Sequence, residues 1–78
     1  MRNKAQEFAA LHVKGAPLVL YNCWDAGSAK AIVAGGAQAL ATGSLAVAAA
    51  QGYDDGEHLP MAQLLGLVGR IVQAQDVP

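Results

Sequence analysis

The strongest constraint on the fold is a pattern of two short apolar runs separated by one helical segment. The first run spans residues 18–21 and the second spans residues 39–42, and neither alternates with polar residues. Uninterrupted apolar runs of this length are typical of strands buried on both faces, as in parallel sheets. Between them, Asp25 can cap a helix and the Gly35–Gly36 pair can end it. The pattern predicts a compact β-α-β unit with parallel strands and a right-handed crossover.

Helices are predicted on both sides of this unit. Asn3 begins a capping-box pattern before an N-terminal helix, and Gly15 is placed to end that helix. Residues 22–25 are predicted to turn the chain, and residues 43–50 are small and weakly helical. Pro60 is expected at the first position of a last helix. The apolar face of that helix recurs at helical spacing through Met61, Leu64, Leu65, Val68, Ile71 and Val72. This order resembles one step of a (β/α)8 barrel, in which a unit takes about 30 residues.

The composition is unusual for so short a chain. Of its 78 residues, 54% are hydrophobic and only 14% are charged, whereas soluble domains typically carry about 25% charged residues. Small domains have much surface for their volume, so apolar faces of this chain must be covered by something else. The net charge of −1 and the single cysteine argue against an electrostatic nucleic-acid binder and a disulfide scaffold.

Three explanations fit this composition. The chain is a piece of a larger α/β barrel, or it is a free-standing small α/β module that self-associates without catalysis, or it is a membrane peptide. Residues 31–53 carry no charge, but they consist largely of Ala and Gly and lack the large apolar residues that drive membrane insertion. We therefore favour the barrel piece over the module and expect no membrane or nucleic-acid partner.

The turn after the first strand contains two residues of chemical interest. Cys23 has no His or Lys beside it in sequence to stabilise a thiolate, so we interpret it as a reduced, partly buried thiol. Trp24 is either a hydrophobic plug over the end of the barrel or a wall that contacts substrate. His12 belongs to the N-terminal helix and is interpreted as structural.

Two later segments could bind charged groups. Residues 42–45 lead from the second strand into a short helix, so their backbone N–H groups could bind an anion, although a plain strand-to-helix turn has the same sequence. Asp54, Asp55, Glu57 and His58 form the densest group of possible metal ligands. Their spacing matches no calcium loop or zinc site, and Asp-Asp-Gly is also an ordinary turn sequence.

The order of these motifs resembles that of a known family. The motifs are residues 18–30 (LVLYNCWDAGSAK), residues 39–44 (ALATGS) and residues 52–57 (GYDDGE) followed by Leu59–Pro60. They resemble the start of the isocitrate lyase/phosphoenolpyruvate mutase family, and most closely its small phosphonomutase-like members. The resemblance covers nearly the whole chain.

The resemblance implies a Mg²⁺-dependent TIM barrel that makes or breaks a C–C or P–C bond next to an α-oxo-carboxylate. It implies that backbone amides of Gly43, Ser44 and Leu45 hold a small α-oxo-carboxylate or phosphonate substrate. Trp24, from its position after the first strand, is a further candidate for substrate binding. The resemblance also implies that Asp55 supports Mg²⁺ from the outer shell, through water. Relatives often have Pro where Asp54 stands and Gly where Ala46 stands.

Two parts of the family pattern are absent from the 78 residues. In relatives, the acidic metal-binding strand follows a Val-Pro pair like Val77–Pro78, and a loop with a Lys-Lys-Cys-Gly motif lies further on. We therefore expect residues 1–78 to be the N-terminal piece of a (β/α)8 barrel, truncated before the third strand. As an isolated chain it is expected to be inactive and to bind no Mg²⁺ stably, and the complete enzyme is expected to be cytoplasmic and homo-oligomeric.

Overall fold

The computed structural model describes residues 3–56 and 58–78. These residues form an α/β arrangement in which a helix precedes the first strand and three helices follow it. The elements in chain order are α1 (Lys4–Ala10), β1 (Tyr21–Cys23), α2 (Ala26–Ala34), β2 (Leu40–Thr42), α3 (Ser44–Ala50) and α4 (Met61–Ala74). The N-terminal helix, the two strands and the connecting helices are therefore those predicted from the sequence.

The two strands pair in parallel, as predicted. Tyr21 lies opposite Leu40, and Cys23 lies opposite Thr42. The predicted span of the first strand was wrong, because pairing covers Tyr21–Cys23 rather than residues 18–21. Most of the apolar run lies just before the paired strand. Pairing extends to Cys23 because β2 lies beside β1 as far as that residue. Asn22 and Cys23, predicted in a turn, therefore belong to β1.

The crossover helix α2 begins and ends as its sequence indicates. The backbone N–H of Ser28 donates to the Asp25 carboxylate at 2.7 Å, and the Asp25 N–H donates to the Ser28 hydroxyl at 3.1 Å. This reciprocal pair is a capping box that satisfies N–H groups at the start of the helix. At the other end, Gly36 has a φ of 108°, which favours glycine because a side chain would be strained there.

The N-terminal helix is shorter than predicted. Asn3 caps it by accepting a hydrogen bond from the Gln6 N–H at 3.1 Å, but the helix ends at Ala10 rather than at Gly15. Gly15 has a φ of 83° and lies in a tight turn between Val13 and Ala16. The helix ends early because the chain must reverse in that turn before it enters the sheet.

His12 lies just beyond α1. Its Nδ1 atom is 2.8 Å from the carbonyl oxygen of Phe8, and its ring packs edge-on against the Phe8 ring with centroids 4.8 Å apart. The contacts occupy a helix C-terminus, where carbonyl groups lack partners within the helix. They support the structural interpretation of His12.

The last helix presents a different face to the core than its sequence pattern predicted. Helix α4 begins at Met61, and Pro60 occupies the capping position just before it rather than the first helical position. Ile71 is buried and Leu67 is partly buried against α2, whereas other members of the predicted face are exposed: Met61, Leu65, Val68 and Val72. The helical periodicity identified the apolar side of the helix. It did not show which part of that side packs against α2 and becomes buried.

The core is small and centres on the β-α-β unit. Cys23, Ala29 and Ile71 are buried together. Partly buried side chains pack against them from α2, β2 and α4, namely Ile32, Leu40 and Leu67. This cluster takes one residue from each of β1, α2 and α4, and it packs the β-α-β unit against the last helix.

The uncharged stretch of residues 31–53 does not form one long helix. It contains the end of α2, strand β2 and helix α3, separated by turns. Within residues 3–56 and 58–78, no helix has the length and apolar character needed to cross a bilayer.

The capping box gives a direct test of this fold. We expect Asp25→Ala to lower the free energy of unfolding by about 1 kcal/mol, because the N–H of Ser28 loses its acceptor. Lys30→Ala, at an exposed position of the same helix, is the control and should change stability by less than about 0.5 kcal/mol. Urea unfolding of both variants measures the difference, and equal stabilities would contradict a capping role.

Candidate functional site

The carboxyl ends of β1 and β2 meet at one edge of the sheet. Because the strands are parallel and Cys23 lies opposite Thr42, the segments that leave the two strands start side by side. In open and closed α/β folds, this edge is where ligands bind. Residues that follow β1 and β2 are therefore the first candidates for a site.

A cleft of about 440 Å³ opens beside the carboxyl end of β2. Its polar lining consists of Thr42 and Ser44 on one side, and of Asp54, Asp55 and His58 from the loop before α4. Its apolar lining includes Val47, Leu59 and Leu64. The cleft thus combines an apolar wall with hydroxyl, carboxylate and imidazole groups, which is typical of a site for a small polar ligand.

Ser44 and Asp55 come together in this cleft, although they are 11 residues apart in sequence. The Ser44 hydroxyl donates to Oδ2 of Asp55 at 3.4 Å, a long contact between two exposed side chains. Ser44 is the first residue of α3, and Asp55 lies in the loop that joins α3 to α4. The loop therefore returns across the end of β2, as a shared site requires.

Hydrogen bonds to both flanking helices hold the Asp55 loop. The N–H of Tyr53 donates to the carbonyl of Ala48 at 2.9 Å. The Gln63 side chain on α4 donates to the Tyr53 hydroxyl at 3.2 Å. These contacts determine where Asp55 lies relative to α3. Sequence reasoning missed Gln63, and no local pattern marks it because its partner is ten residues away.

Gly43 follows β2 and lies against the Asn22 side chain of β1. It is the N-cap of α3 with an extended backbone, and no side chain caps the N–H groups of that helix. A Cβ atom at Gly43 would lie 3.4 Å from Nδ2 of Asn22, at van der Waals contact, so the Asn22 amide lies close to the residue that follows β2. Sequence reasoning missed Asn22 because it assigned this residue to a turn. Correct placement of the strand end would have found it.

Like Gly43, the other two predicted substrate-binding residues lie outside the cleft lining, so Ser44 is the one of the four that borders the cleft. Trp24 follows β1 and is 42% exposed, and Leu45 on α3 is 65% exposed. The Trp24 backbone N–H donates to the Ser28 hydroxyl at 3.0 Å, which ties it to the start of α2. The structure therefore brings Ser44 and Asp55 together, with Gly43 beside Asn22, and places Trp24 and Leu45 on the surface around them.

Cys23 is buried at the end of β1, with a relative exposure of 1%. Burial raises the pKa of its thiol above the ordinary value of 9.0, the backbone hydrogen bond of Cys23 lowers it, and nearby Asp25 raises it further. A raised pKa keeps the thiol protonated at neutral pH, and the protonated form is a poor nucleophile. Cys23 is thus more fully buried than the predicted partly buried thiol, and its raised pKa supports the interpretation that it has no reactive role.

The predicted group of metal ligands is only partly assembled. Asp54, Asp55 and His58 border the cleft, whereas Glu57 lies outside the described residues. Among residues 3–56 and 58–78, no three His, Cys, Asp or Glu side chains are placed to hold one ion. Mg²⁺ takes six oxygen ligands, so these residues do not fit its direct coordination. A single exposed carboxylate such as Asp55 fits an outer-shell role.

Comparison with known proteins identifies the family. The family model described as phosphoenolpyruvate phosphomutase matches residues 8–78. The chain belongs to the phosphoenolpyruvate phosphomutase family. This match confirms the resemblance seen in the motifs of residues 18–57, and it covers both strands and all three helices that follow β1.

A solved structure agrees with this assignment, and two curated relatives match most of the chain. The crystal structure of a "putative phosphonomutase" from Burkholderia cenocepacia J2315 is 52% identical, with a TM-score of 0.91 over 96% of this chain and 30% of that protein. Two uncharacterized proteins of Mycobacterium tuberculosis, from strains CDC 1551 and H37Rv, are each 35% identical over 68 residues. The match covers 87% of this chain and 26% of each mycobacterial protein. The chain thus spans about a quarter to a third of the length of these relatives.

Burial of Cys23 predicts slow alkylation. At pH 8.5, we expect iodoacetamide to modify the folded chain at least ~10-fold more slowly than the chain in urea, because the thiol is shielded and its pKa is raised. The chain has one cysteine, so mass spectrometry reports this site alone. Equal rates in the two states would show that Cys23 is accessible.

The same pKa shift predicts a pH dependence of stability. The unfolded thiol ionises near pH 9.0, whereas the folded thiol keeps its proton to higher pH. The folded state is therefore favoured fully below pH 9.0, and this contribution is lost as the pH rises towards the folded pKa. Urea unfolding of the wild type and of Cys23→Ala at pH 7.5 and pH 9.5 should show a larger loss with pH for the wild type. Equal losses would contradict a raised pKa.

Proposed function

We propose that this chain supplies the substrate cradle of a Mg²⁺-dependent phosphoenolpyruvate phosphomutase-type enzyme. The reaction proposed for the complete enzyme makes or breaks a C–C or P–C bond next to an α-oxo-carboxylate. The observation that carries the proposal is the contact between Ser44 and Asp55 at the carboxyl end of β2. Family membership over residues 8–78 supports the same assignment.

Gly43, Ser44 and Leu45 are proposed to bind the anionic group of the substrate through their backbone N–H groups. Three features support this role. The residues open α3 at the carboxyl end of β2, no side chain caps the first turn of α3, and the cleft beside Ser44 is large enough for a small organic acid. Trp24, exposed after the neighbouring strand, is proposed as an adjacent wall against the substrate.

Asp55 is proposed to hold water in the outer coordination shell of Mg²⁺. Its carboxylate is exposed and borders the cleft next to Ser44, so it can accept hydrogen bonds from water as well as from the serine. When bound, Mg²⁺ would supply positive charge beside the α-oxo-carboxylate. Asp55 would orient that shell, and Ser44 would fix the position of the Asp55 carboxylate.

The isolated chain is expected to have no lyase or mutase activity. Among the described residues, no three His, Cys, Asp or Glu side chains could hold the ion directly, whereas Mg²⁺ requires six oxygen atoms and the role proposed for Asp55 is only in the outer shell. The purified chain should therefore not turn over 2-methylisocitrate-like, oxaloacetate-like or phosphonopyruvate-like substrates at millimolar Mg²⁺. Turnover of any of them, measured by product formation, would contradict this prediction.

A chimera tests the proposed function and the role of Asp55. Residues 1–78 replace the matched 30% of the Burkholderia protein, and the chimera is assayed with the same substrate classes with and without Mg²⁺. We expect Mg²⁺-dependent turnover, and we expect Asp55→Ala to lower it by ~10- to 100-fold without lowering the thermal midpoint.

Asp54→Ala is the matched control, because Asp54 is the neighbouring exposed carboxylate at the same cleft and no role is proposed for it. It should leave turnover within about twofold of the unsubstituted chimera. If Asp55 is only a turn residue, Asp55→Ala should instead cost up to ~1 kcal/mol of stability and leave turnover per folded molecule unchanged. A folded chimera that turns over none of these substrates would rule out the proposed function.

A further inference from the structure

The loop that carries Asp55 begins with a fixed turn at the end of α3. The N–H of Gly52 donates to the carbonyl of Ala49 at 3.0 Å, and the N–H of Tyr53 donates to the carbonyl of Ala48 at 2.9 Å. Gly52 has a φ of 84°. These two nested bonds around a left-handed glycine form a Schellman motif, which satisfies carbonyl groups that the end of a helix leaves without partners. Tyr53 therefore leaves α3 in one defined direction.

The Tyr53 side chain connects this turn to α4. Its hydroxyl accepts a hydrogen bond from Nε2 of Gln63 at 3.2 Å. Gln63 lies in the first turn of α4, where its backbone N–H donates to the carbonyl of Pro60 at 3.0 Å. The loop is thus attached to α3 through the backbone of Tyr53 and to α4 through its side chain.

The contact between Asp55 and Ser44 does not hold the loop by itself. The two oxygen atoms are 3.4 Å apart and both side chains are exposed, whereas hydrogen bonds between oxygen atoms are usually about 2.5–3.0 Å long. Asp55 is two residues from Tyr53, so their Cα atoms lie within about 7 Å of each other. Ser44 can orient the Asp55 carboxylate only where the attachment of Tyr53 has brought it within reach.

Helix α4 does not depend on the Tyr53 bond for its own position. Ile71, eight residues beyond Gln63, is buried in one cluster with Cys23 and Ala29, and this packing holds the helix against the β-α-β unit. A single hydrogen bond between side chains contributes little net stability. Loss of the Gln63 contact should therefore release the loop and leave α4 in place.

We infer that Gln63 and Tyr53 are positioning residues that set the Mg²⁺ affinity of the complete enzyme. Neither belongs to the cleft lining, so they act through Asp55 rather than on the ion or the substrate. Groups that orient the outer shell of a metal ion change its affinity, and the Tyr53–Gln63 bond determines where Asp55 stands. The inference rests on the proposed function, which assigns Asp55 to that shell.

A pair of glutamine variants in the chimera tests the inference. Gln63→Leu removes the donor and keeps a side chain of similar size. We expect it to raise the Kd for Mg²⁺, measured by calorimetry, about 3- to 10-fold, as the loss of one hydrogen bond allows. The KM for Mg²⁺ should rise equally, kcat at saturating Mg²⁺ should stay within about twofold, and the thermal midpoint without metal should stay within about 3 °C.

Gln73→Leu is the matched control. Gln73 is an exposed glutamine of the same helix, ten residues from Gln63, and the same substitution there should leave the Kd for Mg²⁺ within about twofold. An equal Kd in the two variants overturns the inference, whatever the turnover. A lower thermal midpoint in Gln63→Leu, with unchanged Mg²⁺ affinity per folded molecule, shows a merely structural contact and overturns it as well.

A double-mutant cycle tests whether the two residues act as one unit. Tyr53→Phe removes only the hydroxyl and should raise the Kd for Mg²⁺ as much as Gln63→Leu does. The double variant should lose no more affinity than either single variant, because both substitutions remove the same hydrogen bond. Losses that add would overturn the assigned coupling.

The outcomes also separate this inference from the proposed function. A chimera that binds Mg²⁺ but turns over no substrate contradicts the function, and the Kd values of its variants still decide the inference. Turnover by the chimera, with equal Mg²⁺ affinity in Gln63→Leu and Gln73→Leu, supports the function and overturns the inference. A folded chimera that binds no Mg²⁺ overturns both.

Discussion

Parallel pairing of β1 with β2 is the interaction on which the rest of the structure depends. It places Cys23 beside Thr42, so the segments that leave both strands start at one edge. The crossover helix must then lie against the strands, where Ala29 and Ile71 bury the Cys23 thiol. Ile71 of α4 packs in the same small cluster, so the position of α4, and with it the cleft, depends on this pairing.

The same chain presents two surfaces with different chemistry at the two ends of β2. At the carboxyl end, hydroxyl and carboxylate groups of Ser44 and Asp55 meet in a cleft with an apolar wall. At the amino end, the Leu40 N–H donates to the carbonyl of Pro78, beside the exposed Val68 and Val72 of α4. Exposed apolar area of this kind explains why the charged fraction of the sequence is low.

Predictions from local signals were accurate where one residue controls its own backbone. Asp25 caps α2 and Gly36 follows it with positive φ, because capping and left-handed conformations depend on nearest neighbours. Predictions that required a partner were less accurate. The first strand was placed too early, Gly15 was assigned to a helix end, and the buried face of α4 was drawn too broadly. Each of these features depends on which segment packs against it, and the local sequence does not show which segment that is.

The sequence by itself determined the order of elements, the caps of α1 and α2, the parallel β-α-β unit and the motifs that identify the family. These features arise from hydrophobic patterning and short-range hydrogen bonds, which are readable along the chain. Only the tertiary structure decided that Ser44 meets Asp55, that Asn22 lies against Gly43, and that Trp24 and Leu45 remain outside the cleft. These relations join residues from different elements, and their distances follow from strand register and helix packing rather than from spacing in sequence.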